Sequence, residues 1–99
     1  MQVQLLSESD SRLLTQLGLV VSTQDYQQTT YGAFVALVTS ASTGYPFEVA
    51  LTGGFSGRVV LADYITRYSF SHCEMAFVEA VPGQIVNQVL GKIEAILRL

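Results

Sequence analysis

Charge is what this 99-residue chain has least of. Asp, Glu, Lys and Arg make up 13% of it, about half of the ~25% usual in soluble domains. The apolar fraction is an ordinary 49%, so few ionic groups remain to cover the surface. The five basic residues, Arg12, Arg58, Arg67, Lys92 and Arg98, stand singly among eight acidic ones and leave a net charge of −3. They form no stripe, which argues against nucleic acid as a partner. Cysteine is nearly absent too. A lone Cys73 makes no internal disulfide, so the core alone holds the fold, as suits a reducing compartment, and the cytoplasm is the expected location.

Long apolar runs are also missing. The longest, Ala33 to Val38, is far short of the ~20 residues of a membrane helix, and the opening MQVQLLSESD has neither the basic nor the apolar region of an export signal. No membrane partner is expected. The length fits one compact domain over residues 1–99.

What is present reads as α+β. Ser7 to Gly18 reads as a short N-terminal helix, with Ser7 or Ser9 as N-cap and Leu13, Leu14 and Leu17 on one face; Gln2 to Leu6 before it alternates as a short strand does. From Leu19 onward, β-branched and aromatic stretches separated by Gly, Ser, Thr and Gln clusters predict an antiparallel meander of four to five strands. Residues 62–68 contain neither Gly nor Pro and fit a tight turn, a short helix or a crossover. After Val81-Pro82-Gly83, Ile85, Val86, Val89, Leu90, Ile93, Ile96 and Leu97 recur at helical spacing. They predict a longer amphipathic C-terminal helix packed on one sheet face.

Turn positions fix register, and register fixes which side chains share a face. With Gly53 to Gly57 as a hairpin loop, Val49 falls opposite Leu61 and Leu51 opposite Val59. With Ser40 to Gly44 as the loop before it, Val35 falls opposite Val49. Ala33, Val35, Leu37, Phe47, Val49, Leu51, Val59 and Leu61 then form the core face beneath the helix. The reverse face, with Phe34, Ala36, Val38, Glu48, Ala50, Arg58, Val60, Ala62 and Tyr64, is too apolar for water; the N-terminal helix covers part of it at most, and the rest reads as a seam for a second copy or another protein.

The chemistry-bearing residues are few. His72 and Cys73 are neighbours, and strand geometry points neighbours to opposite sides, which separates a Cys–His nucleophilic pair. His72 and Glu74 share a side and are the one candidate acid/base pair. A single histidine without spaced Cys or carboxylates makes no metal site. Gly53-Gly54-Phe55-Ser56-Gly57 leads into a strand rather than a helix and matches no phosphate-loop spacing. No cofactor, metal or catalytic residue is assigned.

Two Tyr-bearing polar segments, Ser22 to Gly32 and Ser40 to Tyr45, have the composition of recognition loops; in a meander the first lies beside the Phe55 loop, which puts Tyr26 and Phe55 on one rim. The expected partner-binding residues are therefore Tyr26, Phe34, Val38, Phe55, Arg58, Val60 and Tyr64. The function expected is a small non-catalytic protein-binding module, acting as a homodimer or as the dedicated partner of another protein. Inhibitor, immunity, chaperone and mobile-element accessory proteins share its size and composition. The alternatives are a small-molecule binder with its pocket between sheet and helix or at a dimer seam, and a small enzyme using His72 and Glu74.

Overall fold

A computed structural model describes residues 2–8, 15–71 and 73–97, with backbone alone at 2–8, 15, 73–74 and 77. Six strands and two helices follow one another: β1 (Gln2–Glu8), β2 (Thr15–Val20), α1 (Gln24–Thr30), β3 (Gly32–Thr39), β4 (Glu48–Ala50), β5 (Val59–Ser69), β6 (Cys73–Ala80) and α2 (Gly83–Leu97). All pairings are antiparallel, in the order β4-β5-β3-β2-β1-β6. The α+β class, the antiparallel sheet and a C-terminal helix packed on one sheet face stand as read from the sequence. The short helix, however, is α1, and the described residues between 7 and 18 are strand.

Local chemistry accounts for the helices. Thr23 caps α1, its Oγ1 accepting from the Tyr26 amide at 3.2 Å, and Tyr31 ends it with φ +53°, a left-handed turn that few residues with a side chain adopt. At α2, Pro82 needs no donor of its own, and its carbonyl accepts from the Ile85 and Val86 amides. The Gly53–Gly57 loop forms as expected, with Gly53 and Gly57 at φ +68° and +89°.

Register departs from expectation by one residue. Val49 pairs with Val60 and Ala50 with Val59. Val49 and Leu51 stay in the core as expected, and the slip of one turns the side chains of β5 over relative to them. The main core therefore joins Ile85 and Val89 of α2 to Leu19, Ala36, Val38, Val49, Leu51, Val60 and Ala62. Val38 and Val60, expected at a partner seam, are buried beneath α2 at 6% and 0% exposure. Connectivity departs as well, because β3 pairs with β5 and leaves β4 as an edge. The segment 62–68 is neither turn nor crossover. It continues β5 through a bulge, where Ala36 and Leu37 are opposite Ile65 and Leu61.

Ala33, Val35 and Val20 form a second, smaller cluster, with Tyr68, Phe70 and Met75 packed against it. No described helical residue belongs to that cluster. Among the described residues, no helix is long and apolar enough to cross a membrane.

Candidate nucleic-acid interface

On the side of the sheet away from α2, Gln16, Leu17, Val35, Leu37, Tyr64, Thr66 and Tyr68 line a shallow, open-sided hollow. Strand alternation builds it. Thr66 lies opposite Val35 and Tyr68 opposite Ala33, so the two β5 side chains stand on the small-residue floor of β3, and the bulge brings Tyr64 to the rim. Tyr64 is 57% exposed. None of the lining residues carries a charge at neutral pH. The hollow offers an amide, a threonine hydroxyl and two phenols, a set that hydrogen-bonds and stacks against an uncharged planar group.

A second aromatic group lies at the start of β3. The Tyr26 and Phe34 rings are 5.3 Å apart. Arg67, opposite Phe34 on β5, donates from Nε to Tyr26 Oη at 3.0 Å and from Nη2 to the Thr30 carbonyl at 3.1 Å. Phe55 is elsewhere. It packs on the main core beneath the Arg58 guanidinium, 5.4 Å from the ring centre, just before Val59, which pairs with the far end of β3 at Thr39. Tyr26 and Phe55 thus occupy opposite ends of β3 rather than one rim.

The loop between β3 and β4 is tied down at three points. Glu48 accepts from the Thr43 amide and the Ser42 hydroxyl, both at 2.9 Å; these bonds, led by the Thr43 amide, hold its carboxyl below the usual range. Tyr45 donates to Asp63, and that bond raises the phenol pKa. Lys92 of α2 donates to the Pro46 carbonyl at 2.7 Å.

Of the expected partner-binding residues, Tyr64 alone reaches the hollow, while Tyr26 and Phe34 meet each other. Gln16, Thr66 and Tyr68 went unnoticed, because only the pairing of β3 with β5 brings them together. His72 and the Glu74 side chain lie outside the described residues. Among the described residues no cluster of His, Cys, Asp or Glu could hold a metal ion.

No family profile and no curated protein matches the sequence, whereas solved structures do. The crystal structure of MazF from Deinococcus radiodurans superposes with a TM-score of 0.83 at 28% identity, covering 99% of this chain and 94% of that one. A crystal structure of MazE-MazF from the same organism contains a chain 31% identical, with a TM-score of 0.79 over 97% of this chain and 93% of that one. The chain belongs to the MazF family. A mycobacterial endoribonuclease in complex with its cognate antitoxin shares the MazF-type fold, with a TM-score of 0.77 at 18% identity over 96% and 92% of the two chains.

Membership corrects the functional expectation. A non-catalytic binding module does not describe a MazF fold, which an endoribonuclease shares. The exclusion of nucleic acid falls with it, since RNA is what an endoribonuclease cuts. Scattered basic residues do not exclude a nucleic acid, because unstacked bases are also recognised by stacking on aromatic rings and by hydrogen bonds at their edges.

Proposed function

We propose that this MazF-family protein is an endoribonuclease toxin of the cytoplasm that cuts single-stranded RNA laid over the helix-free face of the sheet, restrained by a protein antitoxin. The observation that carries the reading is the match to MazF along 99% of this chain and 94% of that one. The hollow supports it. Single-stranded RNA is read by unstacked bases laid on aromatic rings and hydrogen-bonded at their edges, and Tyr64, Tyr68, Gln16 and Thr66 supply rings, hydroxyls and an amide.

RNA brings its own nucleophile. Attack of a 2′-hydroxyl on the adjacent phosphorus forms the 2′-O–P bond and breaks the P–O5′ bond, leaving a 2′,3′-cyclic phosphate and a 5′-hydroxyl. The protein must place that hydroxyl in line, take its proton and return one to the leaving oxygen. A base stacked on the exposed Tyr64 ring over the hollow fixes one of the two nucleotides flanking the reacting phosphate.

The test is incubation of the purified protein with a long RNA of mixed sequence and with DNA of the same sequence, the products being mapped by primer extension. RNA cut at a recurrent short sequence, with DNA intact, is the expected result. An RNA left whole at every site overturns the proposal.

A further inference from the structure

The bulge in β5 carries one wall of the hollow. Leu37 of β3 pairs with Leu61, but the preceding Ala36 pairs with Ile65, so Ala62, Asp63 and Tyr64 stand outside that ladder. A bulge re-aims the side chains it carries. Ala62 turns into the main core and is fully buried. Tyr64 lies on the opposite side, 57% exposed, over the hollow. Its aim is set by the path of the backbone through Asp63.

One short segment before β4 braces that path. The Phe47 carbonyl accepts from the Ala62 amide at 2.9 Å, and one residue further on Asp63 Oδ2 accepts from the Tyr45 hydroxyl. The brace is itself held. The Tyr45 ring meets Phe47 edge-on with 5.7 Å between centres, the Tyr45 carbonyl accepts from the Glu48 amide at 3.1 Å, and Lys92 of α2 holds the Pro46 carbonyl. A tyrosine puts its hydroxyl at the end of a rigid ring with only two side-chain torsions, so it fixes a partner at low entropic cost. Tyr45 and Asp63 are both exposed. Their bond is therefore not required to satisfy a buried polar group.

We propose that Tyr45 is a positioning residue for RNA, holding the bulge through Asp63 in the shape that aims the Tyr64 ring at a base. Ordering a loose ring on binding costs affinity, and a brace already formed in the free protein removes that cost. The proposal rests on the RNA reading, but the order of the Tyr64 position is measurable with no RNA present, so the two fail separately.

The chain has no tryptophan, so Tyr64→Trp installs a single fluorescent reporter at an exposed position. Tyr45→Phe keeps the ring on Phe47 and removes only the hydroxyl. Added to the reporter, it should roughly double the amplitude of nanosecond depolarisation. Asp63→Ala should match it, and the two together should do no more than either alone. Asp63→Asn, whose amide oxygen still accepts from the phenol, should leave the reporter near its original order. In RNA cleavage Tyr45→Phe should raise KM about fivefold at unchanged kcat, and should leave KM unchanged when Tyr64 is already alanine. A reporter that ignores the lost hydroxyl, a KM that Tyr45→Phe does not raise, or a rise that persists in the Tyr64→Ala background overturns the proposal. A wild type that cuts no RNA overturns the RNA reading, and the reporter then decides whether Tyr45 orders position 64.

Discussion

Arg67 fastens helix α1 to the sheet through Tyr26, its Nε 3.0 Å from the phenol oxygen, while its Nη2 holds the carbonyl of Thr30 at the end of the same helix. A seven-residue helix is too short to persist alone. It exists here because one guanidinium binds both its first and its last turn.

Gly32 is where that arrangement can be disturbed without touching either partner. A Cβ at this position would lie 2.7 Å from the guanidinium carbon of Arg67 and 2.9 Å from the backbone oxygen of Tyr68. The side chain can swing away, but the backbone oxygen cannot. Gly32→Ala should destabilise the protein by about 1–3 kcal/mol, as overpacking does, measured by denaturant unfolding, and hydrogen exchange in α1 should rise more than in β2.

Tyr31 combines a left-handed backbone with an edge-on contact to Phe70 at 5.3 Å between ring centres. The two effects separate in a pair of variants. Tyr31→Ala loses the ring contact and keeps the strain, and should cost about 1 kcal/mol. Tyr31→Gly loses the same contact and relieves the strain, and should melt within a few degrees of wild type.

The wider loop responds to acid through Glu48. Hydrogen bonds from the Thr43 amide and its neighbours depress the folded-state pKa below that of the unfolded chain. A depressed carboxylate contributes stability that is present above its unfolded pKa, about 4.3, and is lost as pH falls through the lower folded value. NMR signals of residues 42–44 should shift with the Glu48 titration, and Glu48→Gln should remove that part of the pH dependence.

Val60 is fully buried among Val38, Val49 and Val89. Val60→Glu should abolish cooperative unfolding, because a carboxylate with no partner cannot be accommodated in an apolar core. Val60→Ala should leave a folded protein about 2 kcal/mol less stable.

The hollow makes its own demand on kinetics. Tyr64→Ala and Tyr68→Ala should raise KM for RNA cleavage, by about tenfold for each lost stacking partner. Tyr64 is exposed, so its variant should melt like the wild type.

The second helix, the Gly53–Gly57 turn and the strand character of β1, β3 and β4 were legible in the residues. The stripe from Ile85 to Leu97, the paired glycines and the alternation of Val3 and Leu5 each report on a few neighbouring positions. Ser7 to Gly18 misled for the same local reason. Three leucines and a serine cap imitate a helix, but Ser7 pairs with Thr15 and Glu74, Leu17 with Leu5 and Gly18 with Leu37, partners that a short window does not show. The hollow could not be read at all, since Gln16 and Tyr64 are far apart in the chain.

The sequence by itself determined the class, the helical stripe and the scarcity of charge, because these depend on composition and short-range periodicity. Tertiary structure decided which apolar face became core. Pairing β3 with β5, and Val49 with Val60 rather than Leu61, is a choice of one residue in register, and with a side-chain period of two that choice exchanges inside for outside. It buried Val38 and Val60 and left the edge from Tyr64 to Arg67 open, so the surface that low charge leaves uncovered lies along β5.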